Sequence, residues 1–191
     1  VTGTFDPEAF EELKSYASVA PVFRDNLRNT EQIIDRTRDL TGADIGLPHL
    51  SAGPAVETPS IRTGLDQGTE LGAWIRRLEH DGVAAGRITV LSLEPLGRSA
   101  AGRMGRELTS ALTVVTPETV SRWPRSDLTF SRISDFKGME NEFVAVVDGE
   151  AGLFEDEHRA ELYVALTRAR VGLWVAVPEA CRPAFDKLLS R

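Results

Sequence analysis

Arginine recurs at points where the sequence gives it little local reason to be. In RDNLRNTEQI (24–33), Arg28 stands just ahead of a helix start, where its charge opposes the positive end of the helix dipole. Such a residue calls for an anion, and Asp25 and Glu31 are the nearest carboxylates. In ISDFKGMENEF (133–143), Lys137 and Gly138 follow one strand-like run and Glu140 precedes the next. Gly138 suits a tight turn, while Lys137 can hold a phosphate or pair with Glu140 or Glu142. In YVALTRAR (163–170), Arg168 and Arg170 close a segment that is otherwise apolar. Arg170 is explained by a helix C-terminus, which favours cations. Arg168 is harder to explain, because it follows Leu166 in a stretch that reads as mostly buried. A partly buried guanidinium requires a carboxylate or a phosphate, and Glu161, two turns earlier on about the same face, is the local candidate. Either these charges are neutralised at home or at least one is held for an anion that arrives from outside.

The elements that must position these residues follow from periodicity. Asp6–Ala17 reads as a helix with Asp6 as N-cap and Pro7 at its first position. A short strand is expected over 18–23 and a helix over 29–40, with Asn29 as its cap, Gln32 close to a capping-box position and Gly42 as its stop. The Gly- and Pro-rich stretch 42–60 reads as loop with one strand at AVET. In 67–82, Leu71, Trp74, Ile75 and Leu78 share a helical face. A strand is expected at 87–94, a short basic helix at 97–112, a strand in TVVTPE and a loop at 117–128. Strands follow at 128–134 and 142–149, the second almost wholly apolar, as in a sheet covered on both sides. The chain then reads helix 156–169, strand 171–177 and helix 178–189. Strands alternating with helices predict one α/β domain over 1–191 with a mostly parallel central sheet. In such sheets ligands favour the C-terminal ends of strands.

Composition narrows the function. The chain has 191 residues, 41% hydrophobic and 27% charged, an ordinary globular balance with material for a sizeable core. A net charge of −7 argues against a surface that clings to nucleic acid everywhere, and leaves room for a local basic strip. The single cysteine, Cys181, excludes an internal disulfide and fits a reducing cytoplasm. No apolar run approaches the ~18 residues of a membrane span, and no signal pattern opens the chain. It begins at Val1, and we read it as a piece of a longer polypeptide. Its three lysines lie in LKS, FKG and DKL, so it contains no Gly-Lys-Ser/Thr phosphate loop.

Taken in order, the three stretches resemble the C-terminal motor half of the UvrD/Rep-type superfamily 1 DNA/RNA helicases. NLRNT is similar to their motif IV, Asn-aromatic-Arg-Ser/Thr. RISDFKGME is similar to motif V, Thr-x-His-x-x-Lys-Gly-Leu-Glu. YVALTRA matches motif VI, Tyr-Val-Ala-x-Thr-Arg-Ala. The resemblance covers most of 20–177 and is most specific in motif VI. It implies a RecA-like three-layer α/β/α domain that closes on ATP and Mg²⁺, both held mainly by an N-terminal RecA-like domain of the same full-length chain. It implies Arg28 and Arg168 as arginine fingers on the γ-phosphate, where guanidinium charge stabilises phosphoryl transfer. By the same resemblance Glu140 accepts a ribose hydroxyl, Lys137 and Gly138 belong to the ATP-binding stretch, and Arg132 and Ser134 face single-stranded nucleic acid, DNA in preference to RNA. Neither a bound metal in this domain nor a membrane partner is expected.

The sequence departs from the family at several positions. Ser134 stands at the motif V histidine and Arg132 at the threonine, while Leu27 replaces the motif IV aromatic. Only 95–127 occupies the interval that carries an accessory domain in larger relatives, and it holds Arg98, Arg103 and Arg106. Ser134 and Arg132 are the best support for a second reading, a nucleic-acid-binding or regulatory module that keeps the fold without motor activity. A third reading makes Glu140 and Asp148 the acid/base pair of an unrelated α/β enzyme.

Overall fold

The structure, a computed structural model, describes residue 8 and residues 24–62, 64–120 and 126–190. The helix expected over 6–17 and the strand over 18–23 lie outside the described residues, apart from residue 8.

The near-continuous apolar run before Asp148 becomes β7 (Asn141–Val146), next to the middle of a five-stranded sheet. Its neighbours are β4 (Ile88–Ser92) and β8 (Ala169–Val175), and beyond β4 lie β6 (Thr129–Arg132) and the two-residue edge strand β5 (Thr113–Val114). Every pairing in this sheet is parallel. Consecutive side chains on a strand point to opposite faces, and both faces are covered here. Val144, Val146, Leu173 and Val175 pack with α1 (Glu31–Thr41), α5 (Arg159–Thr167) and α6 (Arg182–Leu189). Ala145, Val147, Val90 and Trp174 pack with α2 (Gly64–His80) and the turn at 100–104. The result is a three-layer α/β/α arrangement: its parallel sheet is what the alternation of elements predicts, and its three layers are what the resemblance implies. No helix among the described residues is long and apolar enough to cross a membrane.

Four local readings change. The single helix expected over 97–112 is broken into a 3₁₀ turn (Ala100–Arg103) and α3 (Arg106–Ala111), with Gly105 at φ 104° between them. The break lets the turn seat on α2 at two glycines. A methyl group on Gly68 would come within 2.7 Å of the Arg103 carbonyl oxygen, and one on Gly72 within 2.7 Å of the Met104 carbonyl oxygen. The expected loop at 117–128 contains a short helix, α4 (Pro117–Val120).

The strand expected at AVET is reduced to a bridge between Glu57 and Trp174 of β8, followed by β3 (Ser60–Ile61) paired with β9 (Val177–Pro178). Glu57 is pinned there by Trp74 Nε1 at 3.1 Å and Arg77 Nη2 at 2.7 Å. Finally, Asn29 does not cap α1. Thr30 takes the cap position, without a side-chain cap bond, and Gly42 ends the helix at φ 72° with its N–H on the Arg38 carbonyl.

Candidate nucleotide-facing cleft

The first two motif-like stretches meet the third at the N-terminal ends of β7 and β8. Arg168 is the C-cap of α5 and immediately precedes β8, and Glu140 immediately precedes β7. The backbone joins the two ends, Asn141 N–H donating to the Arg168 carbonyl at 3.0 Å. Arg28 comes from the loop between β1 (Asp25–Asn26), which pairs with β2 (Leu47–Pro48), and α1. Arg28, Glu140, Tyr163, Arg168 and Arg170 are walls of one cleft of about 590 Å³. The expectation that a ligand site would lie at the C-terminal strand ends therefore does not describe this cleft. Glu140 and Arg168 are delivered by turns that enter strands, because α5 ends where β8 begins, while Arg28 comes from the loop that leaves β1.

Arg168 is held without a carboxylate. Its Nε donates to the Val164 carbonyl at 3.1 Å, Nη1 to the Met139 carbonyl at 3.2 Å and Nη2 to Thr167 Oγ1 at 3.1 Å. Neutral acceptors orient a guanidinium, and among the described residues no carboxylate forms an ion pair with it. Burial, and then the like charge of Arg28, hold its pKa below the ordinary arginine value, while Tyr163 and Glu140 act in the opposite sense. Glu161, the local carboxylate considered for Arg168, lines a different cavity and has no recorded bond to it among the described residues.

Arg28 is neutralised by neither Asp25 nor Glu31. Its Nε pairs with Glu140 Oε2 at 2.8 Å, with side chains 50% and 38% exposed. The other oxygen of Glu140 lies 3.7 Å from Arg170 Nε. Arg170 thus does not close the helix. It belongs to β8, and its 51%-exposed side chain turns into the cleft.

Lys137 and Gly138 are exposed, and neither is among the walls of the cleft. Gly138 has φ 89°, as a tight turn requires, and so sets the path of the chain into Glu140. Lys137 pairs with neither carboxylate considered for it, since Glu140 meets Arg28 and Glu142 meets Arg87 at 2.6 Å.

Arg132 and Ser134 are placed elsewhere. They line a second cavity of about 360 Å³ at the C-terminal ends of β4 and β6, together with Arg98, His158 and Glu161. Arg98 is paired with Glu94 at 2.6 Å, and Ser134 Oγ donates to its neighbour Asp135 at 3.0 Å. Glu140 and Asp148 flank β7 at opposite ends, roughly 25 Å apart at strand rise. They cannot act as an acid/base pair on one substrate. Asp148 is buried and accepts bonds from Ser92 Oγ at 2.6 Å and the Ala100 N–H at 2.8 Å, with Ser99 Oγ as a third donor. Among the described residues no group of three or more His, Cys, Asp or Glu side chains is placed to hold a metal ion.

Sequence reasoning missed two residues that build the cleft. Asn29, expected as a cap, is instead a clamp, 2% exposed, with its amide nitrogen on the carbonyls of Thr167 at 3.2 Å and Ala169 at 2.6 Å. The signal was the adjacent Thr30. Two residues suited to capping stand side by side and only one can cap. Arg170 was hidden because the helix was extended two residues too far.

No family model and no curated protein matches the chain. Among solved structures it is similar to the C-terminal domain of a possible DNA helicase from Lactobacillus plantarum WCFS1, with a TM-score of 0.54 and 18% sequence identity over 79% of this chain and 86% of that one. At that identity the shared property is the fold.

Proposed function

We propose that this domain is the second RecA-like motor domain of an ATP-dependent helicase or translocase, of the superfamily 1, UvrD/Rep type. In this reading it supplies Arg28 and Arg168 to the γ-phosphate of ATP, which the N-terminal RecA-like domain of the full-length chain grips together with Mg²⁺. The observation that carries the reading is Arg168. Three neutral acceptors hold its guanidinium on a cleft wall with no carboxylate paired to it among the described residues, and a second arginine shares that cleft. The solved neighbour of similar fold, described as part of a possible DNA helicase, supports the same reading.

Within the closed cleft, Arg168 stabilises charge on the transferring phosphoryl group, Arg28 leaves Glu140 to join it, and Glu140 accepts a ribose hydroxyl. Lys137 and Gly138 support this edge from the turn before Glu140. Single-stranded nucleic acid, DNA in preference to RNA, passes the second cavity at Arg132 and Ser134.

The test is Arg168→Ala in the full-length protein. Nucleic-acid-stimulated ATP hydrolysis should fall by roughly 10³–10⁵-fold with ATP binding nearly unchanged. Undiminished hydrolysis removes the finger role. The departures at Arg132 and Ser134 support the alternative, a nucleic-acid-binding or regulatory module. That reading predicts strand affinity with no stimulated hydrolysis in the wild type.

A further inference from the structure

Of the three arginines in the cleft, one is fixed by neutral groups and two share a single carboxylate. Glu140 places Oε2 at 2.8 Å from Arg28 Nε and Oε1 at 3.7 Å from Arg170 Nε. This arrangement poses an electrostatic problem for any polyphosphate entering the cleft. To contact phosphate, Arg28 must leave Glu140, and an unpaired carboxylate would then face a polyanion, which is unfavourable in a partly desolvated site. Arg170 lies nearest the other oxygen of that carboxylate, and its backbone belongs to β8. It is positioned to take over Glu140 as Arg28 departs.

From this geometry, and resting on the nucleotide-cleft reading, we infer that Arg170 is a positioning residue. It retains Glu140 while Arg28 transfers to phosphate, so that phosphate binding exchanges one ion pair for another and leaves no bare carboxylate. Arg170 acts through Glu140 and does not touch phosphate. The large exposed fractions of Arg28 and Arg170 leave both side chains free to make the exchange. Glu140 is therefore a gate as well as a ribose acceptor: until a phosphate competes for Arg28, its carboxylate occupies that guanidinium.

A double-mutant cycle tests this. The 191-residue chain, Arg170→Gln, Glu140→Gln and the double variant are titrated with inorganic tripolyphosphate at low salt. Binding is followed by NMR at the arginine Nε–H groups, and thermal melts confirm that all four proteins are folded. Tripolyphosphate has no ribose, so any ribose role of Glu140 is silent. We expect Arg170→Gln to weaken binding about tenfold and Glu140→Gln to strengthen it. In the Glu140→Gln background, Arg170→Gln should change binding by less than about twofold, and Arg170→Lys should restore most of the affinity in the wild-type background. An equal loss from Arg170→Gln in both backgrounds overturns the inference, since Arg170 would then contact phosphate directly, and it leaves the cleft reading intact. Absence of tripolyphosphate binding in all four proteins overturns the inference, which requires these arginines to meet phosphate directly, and leaves the cleft reading to the Arg168→Ala test in the full-length protein.

Discussion

The amide nitrogen of Asn29 lies 2.6 Å from the carbonyl oxygen of Ala169, and the same nitrogen reaches the Thr167 carbonyl at 3.2 Å. Asn29 directly follows Arg28, and its two acceptors directly flank Arg168. One buried carboxamide thus sets where two arginines stand relative to each other, although 140 residues separate its ends of the bond. The backbone continues the seam, with Thr30 N–H on the Arg170 carbonyl at 3.3 Å and Thr30 Oγ1 near the Val171 carbonyl at 3.3 Å.

Asn29→Ala should therefore cost about 2 kcal/mol of folding stability, since it removes a buried donor and leaves carbonyls unpaired. Asn29→Asp should cost more, because carboxylate oxygens would face carbonyl oxygens. Arg28→Ala breaks only a half-exposed ion pair and should cost about 0–1 kcal/mol. Urea midpoints at constant slope measure all three. An Asn29→Ala loss no larger than that of Arg28→Ala would show that the clamp is not what holds the loop.

Asp148 ties the C-terminal ends of β4 and β7 to the start of the 99–101 turn, and it does so at φ 61°, the positive φ found at no other described residue except glycine. Asp148→Ala loses three accepted bonds and must hold a left-handed backbone, so it should cost about 3–4 kcal/mol. Asp148→Asn keeps the left-handed preference and one acceptor oxygen, and should lose about half as much. Chemical denaturation of the two variants separates hydrogen bonding from backbone strain; equal losses would put the whole cost on the bonds.

Gly72→Ala offers a test of the seat between α2 and the 100–104 turn. Helix propensity alone favours alanine by about 1 kcal/mol at such a position. The Met104 carbonyl, 2.7 Å from the new methyl group, should reverse the sign and give a net loss of about 1–3 kcal/mol. Gly97→Ala, where nothing lies within 4 Å, should stay within about 0.5 kcal/mol. A stabilised Gly72→Ala protein in a thermal melt would mean the turn yields freely.

Where the sequence was readable, a single element decided the pattern. The run before Asp148 has no polar face, so β7 had to be covered on both sides, and Leu71, Trp74 and Ile75 could share a face only on a helix. What escaped reading depends on partners far along the chain. The break at Gly105 makes sense only beside Gly68 and Gly72, which lie more than thirty residues earlier. The role of Asn29 requires carbonyls at 167 and 169, and a local cap explains the same residue type equally well. Arg28 was likewise matched to neighbours in sequence, while its partner Glu140 is brought to it by the entry of β7. The arginines themselves could be picked out because a cation in an apolar setting is conspicuous, but which carboxylate answers it is decided by the sheet.

The outermost strands carry one last implication. Among the described residues the sheet finishes on one side at β5, two residues long; on the other, the Glu57 bridge and the two-residue β3 run beside β8 and β9. β5 is too short to template a further strand from a second molecule, and the outer edge of β8 already bonds Thr30 and Glu57 through the Arg170 and Leu173 carbonyls and the Val175 N–H. The sheet formed by the described residues is therefore a poor nucleus for aggregation.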